Sequence, residues 1–86
     1  MRIKDHVVVV TGASRGIGQS AARALAFAGG RVAMLARSPE VLKLADEIVA
    51  AGGVARGYCV DLTDPAILEG VARQIVSDLG GSGDRR

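Results

Sequence analysis

The sequence has 86 residues, 49% of them hydrophobic and only 2% aromatic, with a formal net charge of +2, which bounds it to at most one domain near the lower size limit of a single core. Phe27 and Tyr58 are the only aromatic residues, and Arg85 and Arg86 alone equal the whole charge excess. A base-stacking surface and a general polyanion-binding face are therefore excluded, and no nucleic-acid partner is expected.

Cys59 is the single cysteine, which rules out an internal disulfide and a cysteine-based metal cluster, and at a strand end it reads as a buried packing residue. The apolar run Val7 to Val10 is cut off by Thr11-Gly12, far short of the ~18 residues of a membrane helix, so no membrane partner is expected. Met1-Arg2-Ile3-Lys4-Asp5 lacks the apolar centre of a secretory signal, and a cytoplasmic location is the default expectation.

Val7 to Val10 reads as a short strand buried on both faces. Thr11-Gly12-Ala13-Ser14-Arg15-Gly16-Ile17-Gly18 follows as a glycine turn, and a helix runs from Ile17 to about Ala28 with Ile17, Ala21, Leu25 and Ala28 as its apolar stripe. Gly29-Gly30 ends it. Arg31 to Ala36 is the second strand. Ser38-Pro39-Glu40 then starts a helix with a hydroxyl cap, a proline at the first helical position and an acid in the first turn. Val41, Leu44, Ala45, Ile48 and Val49 form its stripe, and Gly52-Gly53 closes it. Val54 to Val60 suits a third strand near a sheet edge. Asp64-Pro65 opens a third helix carrying Ile67, Leu68, Val71, Ile75 and Leu79, with Gly70 in its interior costing roughly 1 kcal/mol relative to alanine.

Alternating strands and helices with these connections predict an α/β fold. Its parallel strands are joined by right-handed crossovers in the spatial order third, second, first, with helices on both sides, the first half (βαβαβα) of a three-layer Rossmann-type sheet. Residues 1–80 form that half-domain, and Gly81 to Arg86 reads as a flexible polar tail.

The start of a helix carries unpaired backbone N–H groups and the positive end of the helix dipole, a natural phosphate site where glycines let the ligand approach. Gly12 lets the chain leave the strand sharply, Gly16 opens space for a pyrophosphate, and Gly18 lets the helix pack closely. The spacing Gly-x-x-x-Gly-x-Gly differs from the general dinucleotide fingerprint Gly-x-Gly-x-x-Gly. A methyltransferase loop also places glycines after its first strand, but with an acid near the first glycine, where this chain has Thr11. The segment resembles the Thr-Gly-x-x-x-Gly-x-Gly of short-chain dehydrogenases/reductases. Leu35-Ala36-Arg37-Ser38, Ala51-Gly52-Gly53 and Val60-Asp61-Leu62-Thr63-Asp64 follow in that family's order, so that the resemblance covers roughly residues 5 to 80.

Ligands in such sheets sit at the carboxyl ends of the strands. The candidate cofactor-binding residues are Gly12, Ser14, Arg15, Gly16, Ile17 and Gly18 in the glycine turn, Arg37 and Ser38 after the second strand, and Asp61 and Leu62 after the third. An acid at the second strand end would bind both ribose hydroxyls of NAD and repel the 2′-phosphate of NADP. Here Ala36 is followed by Arg37, and Arg15 approaches the same ribose, so NADP(H) is expected ahead of NAD(H). Ser14 and Ser38 add hydroxyls, with Ser38 also claimed by its helix cap. The resemblance implies that Asp61 accepts from the exocyclic amine of adenine and that the Leu62 amide reaches a ring nitrogen. A turn role for Asp61 is the alternative. His6 and Asp5 lie at the opposite end of the strands.

The resemblance implies hydride transfer between NAD(P)(H) and a carbonyl or alcohol, using a serine, a Tyr-x-x-x-Lys pair and a nearby asparagine. This chain supplies none of that set. Its only tyrosine, Tyr58, has Leu62 four residues on, its lysines are Lys4 and Lys43, and it contains no asparagine. The expected function is that of an NADP(H)-binding amino-terminal half of such an enzyme, incompetent in catalysis alone. The alternatives are one half of an oxidoreductase completed by another chain, and a structural, self-assembling αβ fragment with no ligand. Without a fourth strand the first strand presents an open apolar edge, which predicts self-association through that edge or loose packing of residues 64 to 80.

Overall fold

A computed structural model describes residues 4–80. The elements are β1 (Val7–Thr11), α1 (Gly16–Phe27), β2 (Arg31–Ala36), α2 (Glu40–Ala50), β3 (Val54–Cys59) and α3 (Pro65–Ile75), which continues as a π-helical turn over Val76–Gly80. The proposed tail, 81–86, lies outside the described residues.

All three strands are parallel in the order β1-β2-β3, the predicted arrangement. The register pairs Val9 with Ala33 and Ala33 with Arg56, so Val7, Val9, Ala33, Leu35 and Tyr58 face one way and Val8, Val10, Val32, Met34 and Ala55 the other. The second face is covered by α1 and α2, where Val32, Met34 and Val41 are fully buried together with Ala22, Ala26, Ala45 and Ile48. α3 and its π turn cover the first face, packing Val71, Ile75 and Leu79 on Ala33, Leu35 and Tyr58.

α1 departs from the expected stripe. Ile17 is 88% exposed and Phe27 94% exposed, whereas Ala22 and Ala26 are buried. The cause lies at Gly18: a Cβ there would collide with the carbonyl oxygen of Gly12, so the helix meets the preceding turn at this residue. That contact fixes the helix rotation and directs the line Gly18-Ala22-Ala26 inward, one position away from the predicted line through Ile17.

The start of α3 is as expected, whereas α2 begins one residue later than expected, with Pro39 at the N-cap and Glu40 first in the helix. The Ser38 hydroxyl accepts from the Glu40 N–H at 3.3 Å, and the Asp64 carboxylate caps α3 by accepting from Ala66 N–H at 2.9 Å, with Pro65 in the first turn. Val49 in α2 is half exposed rather than part of the stripe. Cys59 is exposed, not a core residue. It ends an edge strand, and its thiol donates to the Arg37 carbonyl at 3.2 Å.

The open edge of β1 carries half-exposed Val7 and Val9. The carboxyl-terminal half of α3 packs on the sheet while Ile67 and Leu68, nearer its start, stay partly exposed. Polar bonds pin the end of α3. The Tyr58 hydroxyl donates to Asp78 Oδ2 at 2.9 Å, Gln74 donates to Asp78 Oδ1 at 3.0 Å, and Arg31 donates to the Leu79 carbonyl at 2.9 Å. Residues 64 to 80 are therefore anchored at one end only.

Candidate functional site

The carboxyl ends of the three strands open into one cleft of about 590 Å³. From the turn after β1 it receives Gly12, Ser14 and Arg15, from the end of β2 Ala36, Arg37 and Ser38, and from the end of β3 Val60, Asp61, Leu62 and Thr63. Parallel pairing makes this possible, because it brings three strand ends far apart in sequence to a single edge.

The turn is held by buried Ala13, whose N–H donates to the Leu35 carbonyl at 3.2 Å. Gly12 and Gly16 have φ of +63° and +60°, the left-handed region that glycine enters without steric cost. A Cβ at either would meet nothing within 4 Å. Gly16 thus has the backbone conformation that favours glycine and open space where a side chain would stand. Arg15 precedes α1 in extended conformation and makes no side-chain cap, so the first N–H groups of that helix have no side-chain acceptor from the capping residue.

At the third strand end, Asp61 Oδ1 accepts from the Thr63 hydroxyl at 2.7 Å and from the Thr63 N–H at 3.0 Å. The hydroxyl bond first, then the amide bond, hold the Asp61 carboxyl below its ordinary value. Desolvation opposes this, and the positive charge of Arg37 adds a smaller lowering. The turn role considered for Asp61 is therefore occupied, through one oxygen.

Seven of the ten residues singled out from sequence line the cleft: Gly12, Ser14, Arg15, Arg37, Ser38, Asp61 and Leu62. Gly16, Ile17 and Gly18 lie at the start of α1 and do not line it. Val60 and Thr63 were not singled out. The signal for Thr63 was the spacing Asp-x-Thr, in which a hydroxyl two residues on closes a turn on the carboxylate. Val60 carried none beyond its place after the strand.

Tyr58 is not among the lining residues. Its hydroxyl is pushed up to about 12, chiefly by burial and then by the bond to Asp78 and that carboxylate's charge, the reverse of what an acid-base tyrosine needs. Among the described residues no three His, Cys, Asp or Glu side chains gather to hold a metal ion, and no helix is long and apolar enough to cross a membrane.

A family model described as short chain dehydrogenase matches residues 6–82. An uncharacterized oxidoreductase of Mycobacterium tuberculosis is 43% identical over 83 residues, covering 92% of this chain and 24% of the relative. The chain thus spans about a quarter of that protein's length. Among solved structures, a metagenomic short-chain oxidoreductase in complex with NADP superimposes with a TM-score of 0.82 at 38% identity, covering 93% of this chain and 37% of the other. An oxidoreductase from Haemophilus influenza with bound NAD superimposes at 0.86 with 26% identity, over 92% and 29%. The family model reaches from the start of β1 through the whole described sheet and α3, and with these relatives it establishes that the chain belongs to the short-chain dehydrogenase family.

Proposed function

We propose that the cleft receives the adenosine and pyrophosphate end of NADP(H), and that the whole protein transfers hydride between this cofactor and a carbonyl or alcohol. The observation that carries the reading is the chemistry of the cleft wall. Arg15 and Arg37 stand in one cleft with Ser14 and Ser38, and Ala36 occupies the place at the end of β2 where a carboxylate would favour NAD. Neither arginine forms an ion pair among the described residues, so both guanidinium groups are available to a 2′-phosphate. Ser38 serves two purposes at once: its oxygen accepts from Glu40 while its hydroxyl proton stays available to donate. The uncapped start of α1 and its glycine turn suit the pyrophosphate. One neighbour in the family is recorded with NADP and another with NAD, and it is the arginine pair that favours NADP(H) here.

Hydride transfer needs groups that these 86 residues do not supply, since Tyr58 lies outside the cleft with its proton held tightly, and no asparagine is present. The chain by itself is read as a cofactor-binding unit. Calorimetric titration with NADP⁺ and NAD⁺ at low salt tests this, because a phosphate-arginine contact is least screened there. Tighter binding of NADP⁺ is expected, and Arg37→Ala should erase roughly tenfold of the preference, the scale of one hydrogen bond to a charged group. Equal affinities for the two nucleotides in the unsubstituted chain would refute the choice.

The half-exposed Val7 and Val9 on the open edge of β1 support a second element of the reading, self-association of the chain through that edge. Sedimentation should show a dimer or larger species, and Val9→Lys should return it to monomer.

A further inference from the structure

The turn after β3 contains a hydroxyl that the reading above does not use. Thr63 lines the cleft beside Asp61, is itself exposed, and places both its side-chain and its backbone donor on the same oxygen, Asp61 Oδ1. A carboxylate at an exposed strand end would ordinarily rotate freely about χ2, presenting either oxygen to solvent. Two donors on one oxygen remove that freedom and assign the oxygens different tasks. Oδ1 is spent on the turn, and Oδ2 accepts no hydrogen bond from the described residues.

Resting on the reading of the cleft as an adenosine site, we propose that Thr63 is a positioning residue for base recognition, locking Asp61 so that Oδ2 faces the exocyclic amine of adenine. An amine there donates to the carboxylate. Hypoxanthine has a carbonyl at the same position, an acceptor set against an acceptor, and is rejected. The strength of that rejection depends on how firmly the carboxylate is held, since a free carboxylate turns away from the clash at little cost. Thr63 therefore sets the selectivity for the base without touching it.

The test uses the 86-residue chain with NADP⁺ and its hypoxanthine analogue, nicotinamide hypoxanthine dinucleotide phosphate, comparing the unsubstituted protein with Thr63→Val and Thr63→Ser. Valine keeps the shape and the backbone donor but removes the hydroxyl, and serine restores it. The preference for adenine over hypoxanthine should fall about tenfold in Thr63→Val, the scale of one hydrogen bond to a charged group, and return in Thr63→Ser. Asp64→Ala removes the neighbouring cap of α3 and should leave the ratio unchanged. In the absence of nucleotide, side-chain carboxyl NMR should show Asp61 rising toward 3.8 in Thr63→Val and staying low in Thr63→Ser. Thr63→Ala provides a second deletion of the hydroxyl should the valine variant misfold. If both nucleotides bind and the ratio is the same in Thr63→Val and the unsubstituted chain, the positioning role is overturned while the cofactor reading stands. If neither nucleotide binds the unsubstituted chain, the cofactor reading fails and this role fails with it.

Discussion

The two faces of the sheet are built from similar residues and finished to different degrees. Under α1 and α2, Val32, Met34 and Val41 have no exposed surface. On the α3 side the same register leaves Val7, Val9, Ile67, Leu68 and Val76 between 37% and 67% exposed, around a shallow apolar groove of about 330 Å³. One face is closed mainly by apolar packing, with an exposed Arg23–Glu47 ion pair between its two helices, whereas the other relies on a short apolar contact and a set of polar bonds at Asp78, Tyr58 and Arg31. Stability should therefore reside on the α1/α2 face, and the cleft should depend on it, because Gly18, Ala13 and Ala36 tie the cleft walls to that layer.

The most severe test of this contrast is Met34→Ala, which empties a fully enclosed site and should cost about 2–5 kcal/mol. A domain of this size has a total of only about 4–13 kcal/mol, so chemical denaturation should show a large loss or an unfolded chain. A loss of less than about 1 kcal/mol would show that the buried face does not dominate.

Gly18→Ala comes next. Its Cβ would press on the Gly12 carbonyl, a backbone atom that cannot step aside like a flexible side chain, and overpacking of this kind costs about 1–3 kcal/mol. The account expects lowered stability and weakened nucleotide binding together, measured by denaturation and calorimetry. Stability lost with binding intact would separate the glycine contact from the cleft.

On the weaker face, Tyr58→Phe removes one bond to Asp78 and should cost about 1 kcal/mol. The same latch has a pH signature. Tyr58 is raised in the folded chain, so its contribution is complete below the ordinary value of 10 and is lost as pH rises toward about 12. Asp78 is lowered, first by the Tyr58 hydroxyl and then by Gln74 and Arg56, so its contribution is complete above 3.8 and disappears at more acid pH. Since the chain has one tyrosine and no tryptophan, ultraviolet titration of the phenol reads the latch directly. A midpoint near 12 is expected, and a midpoint near 10 would mean that α3 is not docked.

The smallest expected effect is a gain. A Cβ at Gly70 meets nothing within 4 Å, so Gly70→Ala should stabilise α3 by up to about 1 kcal/mol through helix propensity alone.

The same contrast explains which features could be read from sequence. Strand order, helix starts at Ser38-Pro39 and Asp64-Pro65, and the meeting of three strand ends follow from local signals and from the handedness of crossovers, and the structure has all of them. The rotation of α1 was not legible, because it is set by a contact between Gly18 and the Gly12 carbonyl while periodicity favoured the line through Ile17. Cys59 was misread for a related reason: burial at a strand end depends on what the fold stacks over it, and Cys59 closes an edge strand and is exposed. Within the cleft, the charged and glycine residues announced themselves by chemistry. Thr63 was legible only through its spacing from Asp61, since it enters the cleft by way of a bond to that neighbour.

The central claim is that the cleft at the carboxyl edge holds the adenosine end of NADP(H). Its most direct test is an amide NMR titration of the chain with NADP⁺ and, separately, NAD⁺ at low salt. The account predicts saturable shifts at Gly12 to Gly18, Arg37 and Asp61 to Thr63, tighter for NADP⁺, with the strand residues at the opposite end of the sheet unmoved. A well-dispersed spectrum that shows no saturable shift at these positions with either nucleotide would contradict it.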